Sequence, residues 1–498
     1  MKIKGNSLVK QIISYGLLFL AITSLCVIGN LLNTIHIKNI QQGMLLLILA
    51  AFAVLIYRCY KRTFQYKYIF VFSIFSGIVM RIGYMLYTPY VLRAHDIGAP
   101  VIPGGGHAGY ILWLFQKGQL PDTNAYLYYH PPLYHFLSAI MLRIGKLLTG
   151  ISEVGSLLEM SKVISCFASC VTLIVVYQLC RELELKDRAV LIVMVIASFL
   201  PNMYLLAGRV NNDSLAVLFM MIIILYTVKW YRVQNIKNVV ILAFAFGLGM
   251  MTKVSCGILA AVTGSIMIIV WIKHMKAKNG VRIFTQLLAF GGICFPLALW
   301  YPIRNFLMFG QPLAYVYEIS KAEDIYCGDI PIVQRFLIFP LKQILFPLYN
   351  RPFEDHNVIL YTIKGSLFGE FSFDINGYIP ALLILINTGF MILSLGAMVY
   401  VVLNKSNHNR MLRFGIPGFW GVIWISYLLF NLRYPFGCTM DFRYIVPVAI
   451  LGAIMLGTVY GQLQEDRRIL VRLCQLGIQA ALILFTVLSI IMFCFIKR

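Results

Sequence analysis

Long apolar stretches alternate with short polar connectors along nearly the whole chain. The apolar stretches fall near residues 12–32, 43–60, 68–90, 159–180, 188–206, 212–230, 238–254, 256–272, 282–303, 378–403, 411–433, 442–461 and 473–495. Each approaches the ~20 residues a helix needs to cross a ~30 Å hydrocarbon core. Runs such as Ala381–Val402 and Ala480–Phe495 lack the period-two alternation of a barrel strand, and as helices they satisfy their own backbone in lipid. The pattern predicts an all-α polytopic membrane protein with about 13 transmembrane helices. Leu133–Leu148 is the ambiguous stretch: it is apolar, yet it carries Arg143 and Lys146 and follows Pro131 and Pro132. We read it as an amphipathic helix lying on the membrane surface, and Ala108–Gln116 as a second surface helix.

Charge supports that reading. The chain has 42 Lys and Arg against 19 Asp and Glu, but the cations sit in short clusters between spans. They form no basic stripe of the kind that follows a nucleic acid. With Leu133–Leu148 on the surface, seven clusters share one side: Lys2/Lys4/Lys10, Arg58/Lys61/Arg62/Lys67, Arg181/Lys186/Arg188, Lys229/Arg232/Lys237, Lys273/Lys276/Lys278/Arg282, Lys405/Arg410/Arg413 and Arg467/Arg468/Arg472. Counting it as a span would scatter them over both sides. The positive-inside rule makes their side the cytoplasm. The other side receives a first loop at 91–158, a second at 304–377 and a short one around Arg433–Arg443. It also receives most carboxylates: Asp96, Asp122, Asp213, Glu318, Glu323, Asp324, Asp329, Glu354, Asp355, Glu370, Asp374 and Asp441.

The expected organisation is two N-terminal helices (1–67), a core (68–303, with the first outer loop at 91–158), a second outer loop (304–377) and C-terminal helices (378–498). The cytoplasmic connectors are too short for a nucleotide-binding domain, and no Gly-x-x-x-x-Gly-Lys-Ser/Thr motif occurs. That excludes an ATP-driven pump and an enzyme using a cytosolic nucleotide-sugar. The first apolar run lacks a small-residue cleavage site and is expected to stay as a span. Cys166 and Cys170 share a helix face as small packing residues. Cys327 and Cys438 lie in polar loops, where a disulfide is conceivable.

Candidate chemistry gathers on the acidic side. Asp96, next to His95 and just past the third span, can accept a proton from a hydroxyl nucleophile; a solvated loop acid or a helix cap is the plainer alternative. Gly104-Gly105-Gly106 before His107 reads as a weak anion cradle or as a flexible turn. His95, Asp96, His107 and His130 share one loop, but their spacing matches no compact zinc pattern. Tyr129-His130-Pro131-Pro132 is a rigid aromatic lead into the surface helix, either a wall for a lipid-linked substrate or an interfacial belt. Asp213 opens a span and either caps it or serves a site. Lys253, Arg304, and Arg433 with Arg443 end spans on the same side. There they either snorkel to headgroups or hold a lipid phosphate that gains charge as its bond breaks.

Six segments together resemble the polytopic lipid-linked-sugar glycosyltransferases of the GT-C fold, in particular the branch similar to protein O-mannosyltransferases and the bacterial lipid A aminoarabinose transferase. They are His95-Asp96; His130-Pro131-Pro132-Leu133-Tyr134; Arg209–Asp213; Gly247-Leu248-Gly249-Met250-Met251-Thr252-Lys253; Trp300-Tyr301-Pro302-Ile303-Arg304-Asn305-Phe306 with Gly310-Gln311-Pro312; and Asp441-Phe442-Arg443-Tyr444 with Pro447. The resemblance implies a GT-C-like bundle with surface helices on its extracytoplasmic loops. It implies inverting transfer of a sugar from a polyprenyl-phosphate carrier to a hydroxyl acceptor, which would be a glycan, lipid or protein. It casts Asp96 as general base and gives Lys253, Arg304 and Arg443 the phosphate; His95, His107, Tyr129, His130 and Asp213 complete the expected substrate site. Protein O-mannosyltransferases carry an Asp-Glu pair where this chain reads His95-Asp96-Ile97, which leaves the acceptor open. No metal or other cofactor is expected, a divalent ion being the alternative. The location implied is a bacterial plasma membrane with the site facing outward. A transporter or flippase of lipid-linked sugars is the competing class, with Arg81 inside a span as its one feature.

Overall fold

The structure, a computed structural model, describes residues 2–32, 37–276, 280–339, 356–405, 409–463 and 468–496. Lys278, Glu354, Asp355 and Arg467 lie outside the described residues, as do the side chains of Lys2, Lys4 and Lys10. Helices α1 (Lys2–Leu32), α2 (Ile37–Tyr60) and α3 (Tyr66–Tyr87) lead into the first long loop. That loop holds α4 (Gly106–Lys117), α5 (Leu133–Thr149) and α6 (Val154–Glu159). The bundle continues with α7 (Lys162–Glu182), α8 (Asp187–Phe199), α9 (Pro201–Ala207), α10 (Asp213–Arg232) and α11 (Ile236–Thr252). Then come α12 (Ala260–Lys276), α13 (Gly280–Phe309), α14 (Ile332–Phe336), α15 (Val358–Phe368) and α16 (Tyr378–Leu403). Helices α17 (Ile416–Arg433), α18 (Pro447–Gln462) and α19 (Ile469–Phe495) close the chain.

Among the described residues ten helices are long and apolar enough to cross a membrane, eleven if the bent pair α8 and α9 is one span. The remaining two expected spans appear as α11 and α18, both shorter apolar helices. Every apolar stretch singled out in the sequence is therefore helical, and the chain is a multi-pass membrane protein. The span expected at 442–461 begins later: Phe442–Tyr444 is a 3-10 turn, which leaves Arg443 outside the helix. Both surface helices form, α4 and α5, with Phe136, Leu147 and Leu148 exposed on the outer side of α5.

The second loop differs from expectation. It contains α15, eleven residues of which all but Ile359 are buried, with the Gly365 carbonyl accepting from Asn202 in α9. Eleven residues are too few to span a bilayer, so hydropathy alone assigns them to a loop. Cys327 and Cys438 are separate thiols, and Cys166 and Cys170 are fully buried packing residues.

The described basic connectors meet at one end of the bundle. Arg232 pairs with Glu182 and Glu184, Asn409 donates to the Leu183 carbonyl, Arg282 to the Gln234 carbonyl, and Arg188 to the Tyr66 hydroxyl. Asp96, Asp213, Lys253, Glu370, Asp441 and Arg443 lie together at the opposite end. Close helix contact fixes this end: a Cβ on Gly247 of α11 would sit 2.6 Å from Leu297 Cβ of α13, and the Asn212 amide donates to the Thr252 carbonyl at 2.9 Å.

Arg81 has a structural explanation. Pro201 bends α8 against α9 by 48° and has no N–H to return to the Ala197 carbonyl. Arg81 donates to that carbonyl at 2.9 Å, to those of Ser198 and Gly77 at 3.0 and 2.8 Å, and to Ser169 Oγ at 2.9 Å. It thus ties α3 to the break and to α7. Arg81→Leu should strand these buried acceptors and cost about 1–3 kcal/mol, read as a lower melting temperature of the detergent-solubilised protein. An unchanged melt would remove this role.

Candidate active site

The first loop folds back on itself through backbone contacts. Asp96 adopts φ 56°, a left-handed conformation that Asp tolerates better than most residues. Its carbonyl and that of Ile97 accept from the His107 and Ala108 N–H groups at 2.9 and 2.8 Å, while the Gly106 N–H goes to the Tyr126 carbonyl. The opening N–H groups of α4 are thus used within the protein, and the glycines do not form an anion cradle. They serve close approach instead: a Cβ on Gly106 would lie 2.4 Å from Gly98 Cα. Helix α13 anchors the same loop. Tyr301 donates to the Tyr128 carbonyl at 2.6 Å, and Asn305 to that of Tyr129 at 3.3 Å.

Arg443 is the centre of the site. Its guanidinium lies 2.9 Å from Asp96 Oδ2, 3.2 Å from Asp441 Oδ2 and 3.9 Å from Asp213 Oδ2. Lys253, released from α11 in an extended conformation, pairs with the other oxygen of Asp213. Asp213 is the first residue of α10, where no side-chain cap is made, and its carboxylate turns to Lys253 and Arg443. Tyr126 donates to Asp96 Oδ1 at 2.8 Å. Burial alone would raise the Asp96 carboxyl, but the Arg443 guanidinium and the Tyr126 hydroxyl outweigh it and hold the group well below the usual carboxylate range.

Behind this pair lies a second cluster. His95 Nδ1 is 3.1 Å from Glu370 Oε2, and His95 Nε2 is 3.3 Å from Asp441 Oδ2. Burial and the neighbouring Asp441 push Glu370 well above the usual range; burial also raises Asp441 against the pull of Arg443. Burial, Arg443 and Arg209 drive His95 well below its ordinary value. The donor atoms of His95, Glu370 and Asp441 lie within 4.8 Å of one another, so these residues also form a set that suits a divalent transition metal. Arg209, 2% exposed, lies over the Phe371 ring at 4.5 Å, and His95 stacks on the same ring at 4.6 Å.

The other loop histidines form a separate stack. His107 Nδ1 lies 2.9 Å from His135 Nε2, and the His107 ring stacks on His130 at 5.8 Å. Burial pushes His107 down to about 4 and carries His130 and His135 down as well, so the stack is neutral. Tyr129 packs on His130 at 4.5 Å. Of the four loop residues weighed for a metal, only His95 joins the metal-capable set.

Among the expected cations, Lys253 and Arg443 converge with Asp96 and Asp213. Arg304 does not join them: it donates to the Pro121 carbonyl and to Asn305 Oδ1, clamping the first loop to α13. Arg433 is exposed against Tyr434. Glu370, Arg209 and Tyr126 were missing from the expected site. Arg209 and Asp441 stood in segments already singled out, and Glu370 follows a short apolar helix, a costly place for an acid. Glu318, Glu323, Asp324 and Asp329 are exposed loop acids.

No curated protein matches the sequence. An oligosaccharyltransferase structure from Archaeoglobus fulgidus in its apo form is similar at 12% identity, covering 85% of this chain and 56% of its own, with a TM-score of 0.49. The same protein in complex with Zn and sulfate gives 11% identity, 86% and 53% coverage, and a TM-score of 0.47. ArnT from Cupriavidus metallidurans bound to undecaprenyl phosphate gives 15% identity, 79% and 76% coverage, and a TM-score of 0.35. The chain spans about half the length of the archaeal enzyme. A family profile described as dolichyl-phosphate-mannose-protein mannosyltransferase matches residues 129–300, which include His130, Asp213 and Lys253. Over that segment the chain is similar to the dolichyl-phosphate-mannose-protein mannosyltransferases, and the resemblance to the GT-C glycosyltransferases holds.

Proposed function

We propose that the chain is an inverting glycosyltransferase that moves a hexose or pentose from a polyprenyl-phosphate carrier to a hydroxyl acceptor at the extracytoplasmic membrane face. The observation that carries the reading is the ion pair between Asp96 and Arg443, residues 347 positions apart, with Asp213 and Lys253 beside it. A carboxylate and two cations at one end of a membrane bundle match what the reaction needs: a proton acceptor and a holder for a phosphate. The basic clusters at the other end support placing this site outside the cytoplasm.

In the reaction, Asp96 accepts the acceptor's hydroxyl proton as the oxygen attacks the anomeric carbon from the face opposite the carrier. The carbon–oxygen bond to the phosphate breaks, and its electron pair stays on the carrier. Lys253 and Arg443 stabilise the charge that grows there. In the free protein Arg443 is occupied by Asp96, which keeps that carboxylate ionised but a weak base. A donor phosphate that draws Arg443 away makes Asp96 more basic at the moment it is needed. The transport reading loses its main feature, because Arg81 bonds to the α8–α9 break.

Asp96→Asn should lower turnover by about 10²–10⁴-fold in a protein that still folds, since Arg443 keeps Asp441 and Asp213, measured as release of free carrier phosphate from a panel of polyprenyl-phosphate sugars. Full turnover would remove Asp96 from the mechanism. Because Arg443 lowers the Asp96 carboxyl, kcat/KM should stay level from pH 7 to about pH 5, one unit above an ordinary Asp. In Arg443→Gln the strongest influence opposing burial is gone and the carboxyl rises, so residual kcat/KM should fall as pH drops through that window. Profiles of the same shape would contradict the coupling. Treatment with EDTA should leave turnover intact, since the cations neutralise the phosphate; loss restored by Zn²⁺ or Mn²⁺, and abolished in His95→Ala, would reassign that task to a metal.

A further inference from the structure

The basic end of the bundle holds a cavity that the proposed reaction does not use. Helices α12 and α17 touch where a Cβ on Gly418 would lie 3.5 Å from Val262 Cγ1. Beside that contact a cavity of about 790 Å³ lies between α12 and the 410–415 segment that leads into α17. Its walls include Ile266 and Ile269, and Ile269 is half exposed on the lipid-facing side of α12. Its polar end carries Lys273, Lys405, Arg410 and Arg413, and no carboxylate is among the residues that line it.

That charge pattern is unlike the rest of this end. Arg232 pairs with Glu182 and Glu184, and Arg181 with Asp187. Those cations serve topology while locally neutralised, whereas the cavity gathers four beside apolar walls. Local structure shapes the mouth. The Asn409 side chain accepts from the Met411 and Leu412 N–H groups, opening a π-helical turn at Met411–Gly415. Arg413 donates to the Val402 carbonyl at 3.0 Å, which holds its guanidinium at the rim. Among the described residues that line the cavity no acid opposes an anion, and an attached hydrocarbon chain finds the lipid-facing groove of α12.

We propose that this cavity is a binding site for an anionic phospholipid, with its phosphate among Lys273, Lys405 and Arg410 and its acyl chains along Ile266 and Ile269. Basic pockets between transmembrane segments on the cytoplasmic side suit such headgroups, because each nearby cation attracts the phosphate. The occupant is a structural or regulatory lipid, separate from the carrier proposed at the acidic end.

The test uses the full-length protein in detergent, with native mass spectrometry and thermal melts against phosphatidylglycerol, phosphatidylcholine and inorganic phosphate. Wild type should retain phosphatidylglycerol at least tenfold more than phosphatidylcholine and melt several degrees higher with it. The triple variant Lys273→Gln, Lys405→Gln, Arg410→Gln should lose both effects while matching the wild-type melt in phosphatidylcholine. Ser265→Trp, which fills the groove but keeps every cation, should also lose retention. Should the triple variant melt below wild type in phosphatidylcholine, Ser265→Trp alone decides. Equal retention of the two lipids, full retention in a stable triple variant or in Ser265→Trp, or displacement by millimolar inorganic phosphate would each overturn the proposal.

Discussion

One guanidinium holds the acidic end of this protein together. Arg443 is nearly buried and lies within 4 Å of Asp96, Asp213 and Asp441, which come from the first loop, the start of α10 and the turn before α18. Removing charges from water costs several kcal/mol per ion, and only close, multiple partners offset that cost. A buried arginine shared by three carboxylates therefore ties three distant segments to one geometry. The same sharing makes it exchangeable, because an incoming phosphate offers an equivalent set of oxygens. Stability of the empty site and readiness for an anion follow from one arrangement.

Helix termini supply the remaining parts. Asp213 stands at the N-terminus of α10, where the peptide dipoles favour a carboxylate. Lys253 follows the last turn of α11, and the Asn212 amide on the Thr252 carbonyl holds the two ends side by side. Glu370 is delivered by α15, a buried helix too short to span. Its burial, with Asp441 beside it, pushes the carboxyl well above the usual range. The first loop is fixed in turn by α13, through Tyr301, Arg304 and Asn305, and by the neutral histidine stack beneath α4. Residues that look like substrate ligands in a linear reading, Arg304 and His107 among them, hold the loop in place.

The two ends of the bundle have opposite electrostatic character, and they divide the labour proposed here. The acidic end combines acids with a few shared cations, as a transfer of charged groups requires. The basic end sets topology with cations that are in part paired with acids, and it gathers four more at the cavity between α12 and the turn that leads into α17.

Hydropathy and charge alone made the helical spans, the two surface helices and the segregation of basic connectors legible, because lipid forces each backbone to satisfy itself locally and the pattern is written residue by residue. The acid past the third span and the cations at Lys253 and Arg443 were legible too, since ionisable groups at membrane depth are costly enough to stand out. The pairing of Asp96 with Arg443 was not, nor was the recruitment of Glu370 and Tyr126 or the diversion of Arg304 to the Pro121 carbonyl. Such partners are chosen by helix packing across hundreds of residues. A sequence records which charges must be compensated, and only the packed bundle decides which one compensates which.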